Sequence, residues 1–130
     1  MTNLLQKTIE SVQSSDCSFC HFISPNDTGK TGGHQSGFYI PKEPQHVIFN
    51  GADKKGDNSD LYVKIQWQGD VITDSRFVYY GKGTRDESRI TRFGKDFEWL
   101  RDDHVGDLLV ISRNDPENFK AWILSTEEDI

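Results

Sequence analysis

Residues 61 to 80 read LYVKIQWQGDVITDSRFVYY. In the first seven, Leu61, Val63, Ile65 and Trp67 alternate with Tyr62, Lys64 and Gln66. That period of two belongs to a half-buried strand, because successive side chains on a pleated backbone point to opposite faces. Gln68, Gly69 and Asp70 turn the chain, and VITDSRFVYY is a second strand rich in β-branched and aromatic residues. A β-hairpin therefore sits at the centre of the sequence.

Working outward, similar strands recur. DLLVISR (107 to 113) and FKAWILS (119 to 125) flank NDPEN, a proline-containing turn. A strand runs through 17 to 24, a short one at GFYIP (37 to 41) is stopped by Pro41, and RITRFG supplies another. Residues 3 to 14 place Leu4, Leu5, Ile9 and Val12 on one helical face with Asn3 as a cap. EPQHVIFNGA is a brief helix ended by Gly51. Residues 51 to 60, GADKKGDNSD, form a polar loop with no tendency to pack. The expectation is a mainly β fold, seven or so short strands closing a partly closed barrel, with one or two short helices.

Composition agrees. The chain has 130 residues, the size of one domain, with 34% hydrophobic residues, eight Phe, four Tyr and three Trp. That aromatic content favours a packed β domain over disorder. No segment approaches the ~20 apolar residues of a membrane span. Lys7 and Glu10 interrupt the N-terminal apolar pattern, so it is no secretory signal. A cytoplasmic, prokaryotic protein is expected, and the ending STEEDI reads as the point where a longer protein continues.

Formal net charge is −6, yet it is unevenly spread. Between 76 and 95 stand Arg76, Lys82, Arg85, Arg89, Arg92 and Lys95 against Asp86 and Glu87. Residues 28 to 42 add Lys30, His34 and Lys42 without an acid. A basic strip on an acidic body attracts a polyanion to one face.

The glycines of NDTGKTGGHQSG (26 to 37) resemble a nucleotide-binding loop, but the spacing excludes one. A P-loop needs a glycine five positions before its Gly-Lys-Thr, and here Ser24 stands there. Pro41 also forbids the long helix that should follow. CSFCH, Cys17 to His21, matches a haem-attachment pattern, but the only methionine is Met1. Zinc would require more ligands than His34, His46 and His104 offer without a second cysteine pair. The flanking alternation favours one cysteine in the core and one outside.

The two polar segments carry groups suited to phosphates and base edges. An Arg fork bonds O6 and N7 of guanine together, and a carboxylate accepts from the N4 amine of cytosine. Arg85 and Glu87, two apart on a strand-like arm, point the same way; Arg89 extends the set. Lys82, Arg92, Lys30 and the glycine-loop N–H groups suit phosphates, which position a protein without reading sequence. The candidate contacts are Lys30, His34, Gln35 and Tyr39 from the first segment. From the second they are Lys82, Arg85, Asp86, Glu87, Arg89 and Arg92. A plainer reading stands beside this one: Arg85, Asp86, Glu87 and Arg89 pair with each other on a solvated face.

NDTGKTGGHQSGFYIP together with GTRDESRITRFG resembles the N-terminal effector domain of EcoRII-like type II restriction endonucleases, as do the VYY strand and AWILSTEED. The resemblance covers the chain from about residue 17 onward. It implies a seven-stranded DNA-binding pseudobarrel, similar to the B-three domains of plant transcription factors, whose two arms grip the major groove. It further implies recognition of 5′-CCWGG, with His34 and Tyr39 in the first arm and Arg85, Glu87 and Arg89 in the second. Cutting would fall to a separate C-terminal nuclease domain that needs Mg²⁺, and DNA binding itself would need no cofactor. Gly83 and Ser88 stand where EcoRII has lysines.

The leading expectation is a non-catalytic, sequence-specific reader of double-stranded DNA, bound as a monomer. No Pro-Asp…Asp/Glu-x-Lys nuclease pattern has a believable strand setting. The alternatives are a small metal-dependent nuclease, with His34 as general base and Arg85 or Arg89 stabilising charge, and a protein-interaction barrel with an acidic partner.

Overall fold

The structure is a computed structural model that describes residues 3–28, 37–94 and 97–129. Its strands are β1 (Cys17–Phe22), β2 (Phe38–Ile40), β3 (Ser59–Trp67), β4 (Val71–Tyr80), β5 (Glu87–Thr91), β6 (Leu108–Asp115) and β7 (Asn118–Leu124). Three helices accompany them: α1 (Leu4–Gln13), the single turn α2 (Pro25–Thr28) and α3 (Lys42–Phe49). That is one helix more than expected. No helix among the described residues is long and apolar enough to cross a membrane.

The seven strands form one sheet in the order β1-β6-β7-β3-β4-β5-β2. Neighbours are antiparallel except β3 and β7, where Ile65 faces Phe119 in a parallel register. The two edges nearly meet: the rings of His21 on β1 and Tyr39 on β2 lie 5.6 Å apart, centre to centre. The sheet is a nearly closed barrel, the pseudobarrel expected.

The 61–80 hairpin carries the core as its alternation predicts. Val63, Ile65 and Trp67 are buried, Leu61 packs at their edge, and the facing β4 adds Phe77 and Tyr79. Trp99 stacks on Trp67 at 5.9 Å, and Phe38, Phe93 and Phe97 close around the same indole. Trp67 Nε1 donates to Thr73 Oγ1 at 2.9 Å, so the ring is buried with its polar end satisfied. At Gly69, φ of 72° lets the tight turn between the two strands close.

Elsewhere the fold departs from the pattern. Asn3 caps α1 as expected, its Oδ1 accepting from the Gln6 N–H at 2.8 Å. The buried face of α1, however, carries Thr8 and Ser11, while Ile9 is 47% exposed. Thr8 Oγ1 donates to Leu4 O, and Ser11 Oγ meets Ser112 Oγ at 2.5 Å. Satisfied small hydroxyls cost little to bury and let the helix lie close on β6. Neither cysteine enters the core: Phe19 takes that place, Cys17 is half-buried and Cys20 exposed. The strand begun at Arg89 in the sequence reading starts at Glu87, because Glu87 pairs with Tyr80 and Ser88 with Tyr79.

The 51–58 loop does pack. Gly56 N–H donates to Gly81 O at 2.8 Å, and Asn58 Oδ1 accepts from the N–H groups of Gly81 and Lys82. Lys55 Nζ donates to Gly81 O and Gly83 O at 2.9 and 2.6 Å. A loop polar in sequence becomes the brace of the turn after β4, because its donors and acceptors meet those of the turn.

Candidate nucleic-acid interface

Three of the ten candidate residues, Lys30, His34 and Gln35, lie outside the described residues, as does most of the glycine-rich segment. Its two ends are described, and they converge. Gly37 N–H donates to Asp27 O at 2.9 Å, so the chain leaves α2 and returns to β2 at nearly one point. A Cβ on Gly37 would fall 2.6 Å from Ile90 O, so only glycine lets β2 lie this close to β5.

Asp27 anchors that point. Ser24 and Asp27 form a reciprocal capping box: Ser24 N–H donates to Asp27 Oδ2 at 2.8 Å, and Asp27 N–H to Ser24 Oγ at 3.2 Å. The carboxylate also lies 2.6 Å from His21 Nε2 and accepts from the Tyr39 N–H at 3.1 Å. Burial pushes the Asp27 carboxyl up, but the His21 bond, the Ser24 N–H, the His21 charge and the Tyr39 N–H together hold it below the usual range.

Arg89 joins this anchor to the basic strip. Its Nη1 donates to Asp27 Oδ1 at 3.1 Å and to Gly37 O at 2.9 Å, and its Nη2 lies 3.6 Å from Glu87 Oε2. Arg89 is only 4% exposed. Above it, Arg85 Nη2 donates to Glu87 Oε1 at 2.7 Å, and the Arg85 guanidinium sits 3.9 Å over the ring of Tyr80. The side chains of Arg85 and Glu87 are 38% and 32% exposed, so this pair forms the accessible lip of the cluster.

The remaining candidates are placed differently. Tyr39 is half-buried on β2, its ring against His21. Asp86 turns back toward the barrel, pairing with Lys42 Nζ at 2.8 Å and accepting the Tyr79 hydroxyl at 2.8 Å. Hydrogen bonds from Lys42 and then Tyr79 hold its carboxyl below the usual range. Lys82 is exposed on the turn. Arg92 stands past the far end of β5, its guanidinium 5.3 Å from the Tyr62 ring centre, apart from the cluster. Ser88, where EcoRII has a lysine, is fully buried and donates to Gln45 Oε1 at 2.7 Å.

In the sequence His21 stands out only as part of a haem-like pattern, and Asp27 carries no candidate role. Ser24-Pro25-Asn26-Asp27 was the available signal: an acid three residues after a serine, with proline at the first helical position. The plainer charge-pairing reading also has support, since Arg85, Glu87 and Arg89 are linked to one another. Among the described residues, no three His, Cys, Asp or Glu side chains converge as metal ligands do.

Brought together, then, are the base of the glycine-rich segment and the start of the basic strand, joined through Asp27, Arg89 and Glu87. The family model described as "Restriction endonuclease EcoRII, N-terminal" matches residues 12–130. The chain belongs to the EcoRII N-terminal family. A relative, the Type II restriction enzyme EcoRII of Escherichia coli, is 38% identical over 79 residues, covering 55% of this chain and 19% of that enzyme. The chain thus aligns with less than a quarter of that relative's length. By its description, that family is the N-terminal part of a restriction endonuclease.

Proposed function

We propose that this chain reads double-stranded DNA at 5′-CCWGG, using residues 28–36 and 81–89 as two arms in the major groove. The observation that carries the reading is that Arg89 touches both ends of the first arm, at Asp27 and Gly37, while lying beneath Glu87 in the second. The two ends of the first arm thereby lie beside the strand on which the second arm ends. Arg85 and Glu87 form the accessible lip of this cluster with complementary chemistry, a guanidinium fork for guanine and a carboxylate for the cytosine amine. In the free protein each satisfies the other, and on DNA each exchanges its partner for a base edge. Arg89 supports Glu87 from below, and Tyr39, His34 and Gln35 are assigned base contacts from the first arm. Lys82, Lys30 and Arg92 supply phosphate contacts, and Asp86 fixes the second arm to α3 through Lys42.

In this reading the chain recognises DNA and does not cut it. Cleavage belongs to a separate Mg²⁺-dependent nuclease domain of the whole protein, a bacterial cytoplasmic enzyme. Two different arms span the near-symmetric site asymmetrically, so one copy binds one site.

A fluorescence-anisotropy titration with a CCWGG duplex and a scrambled duplex of equal composition tests this. Tighter binding to the cognate duplex, with affinity falling steeply as salt rises, is expected from base readout combined with counterion release. Equal affinity for both duplexes would sink the reading.

A further inference from the structure

We propose that Asp27 and His21 are positioning residues that set the base-reading geometry of Arg85 and Glu87 by acting through Arg89. This rests on the DNA-reading role above. Glu87 is contested: Arg85 holds Oε1 at 2.7 Å, and Arg89 approaches Oε2 at 3.6 Å. A buried guanidinium needs a counter-charge. Asp27, fully buried, supplies it at 3.1 Å and so leaves Glu87 free to stay at the lip.

The hold on Arg89 is narrow. Its Nε is buried with no hydrogen-bond partner among the described residues, so the Nη atoms alone fix the group. Nη1 depends on Asp27 and on Gly37 O, and Gly37 is itself tied to Asp27 by its N–H. His21, from the opposite edge strand, fixes the other oxygen of Asp27 while its ring packs on Tyr39. If the Asp27 charge is removed, Glu87 is the one counterion left to Arg89 among the described residues. The carboxylate is then drawn down from the lip, and Arg85 loses the partner that orients its fork. Phosphate contacts from Lys82 depend on none of this.

The test titrates the full chain and its variants against the CCWGG and scrambled duplexes, with thermal melting alongside. Asp27→Asn keeps the shape and removes the charge. It is expected to lower the cognate-to-scrambled affinity ratio about tenfold, the scale of one lost bidentate contact, with scrambled binding and its salt slope unchanged. His21→Phe keeps a ring against Tyr39 but loses the bond to Asp27, and should lower the ratio severalfold. His21→Gln restores a donor and should recover most of it. Should Asp27→Asn fail to fold, the two His21 variants decide. An unchanged ratio in Asp27→Asn, equal loss on both duplexes, or His21→Phe and His21→Gln behaving alike overturns the proposal while the reading stands. A native chain without preference overturns both.

Discussion

Tyr79 donates its hydroxyl hydrogen to Asp86 Oδ1 across 2.8 Å, tying the end of β4 to the residue just before β5. Burial pushes the Tyr79 hydroxyl up to about 12 from an ordinary 10.0, and the Asp86 carboxylate that accepts its proton adds to the shift. A proton bound more tightly in the folded chain stabilises it fully below pH 10, and that contribution is lost as pH rises toward 12. Denaturant midpoints measured from pH 8 upward should fall more steeply for the native chain than for Tyr79→Phe. Parallel curves would contradict the assignment.

Arg85 and Lys82 should separate base reading from phosphate contact. Arg85→Ala is expected to cost about 1–3 kcal/mol on the cognate duplex and to relax preference at the guanine it reads. Lys82→Ala should weaken cognate and scrambled binding alike and lower the salt slope by about one. Titrations at several salt concentrations distinguish the two, and a uniform effect from Arg85→Ala would remove it from the reading set.

Gly81 lies where the 51–58 loop packs against the second arm. A Cβ there would meet Asp57 O at 2.3 Å and Tyr79 Cε2 at 2.5 Å. Gly81→Ala should therefore push the brace away and destabilise the chain by about 1–3 kcal/mol, the usual cost of overpacking. Thermal melting reads the loss. Gly51 has open space around its missing Cβ, so a substitution there meets no clash, though its φ of 90° still strains a side chain.

Phe38 is fully buried among Trp67, Phe93 and Phe97. Phe38→Ala should cost about 3–5 kcal/mol in urea unfolding, through lost burial and the cavity left behind. Because β2 carries Tyr39 next to it, DNA affinity should fall as well.

The sequence by itself determined the barrel's strands and its inward face. Leu61, Val63, Ile65 and Trp67 had to share a side because strand pleating is a local property. Asn3 had to cap a helix and a helix had to stop by Gly51, since capping depends on a few adjacent residues, although the left-handed residue that ends it is Asn50. The basic strip was equally legible, as was the resemblance carried by its two motifs. The parallel pairing of β3 with β7, the packed 51–58 loop and the buried face of α1 were not. Ser11 looks like a surface residue until Ser112 arrives from the far end of the chain. Only the tertiary structure decided the division of labour among the charges. Asp27, Arg89 and Glu87 are separated in sequence, and near-closure of the sheet alone puts a buried carboxylate under an arginine that looked destined for solvent. Burial and counter-charge depend on all that packs around a residue, and no local pattern records them.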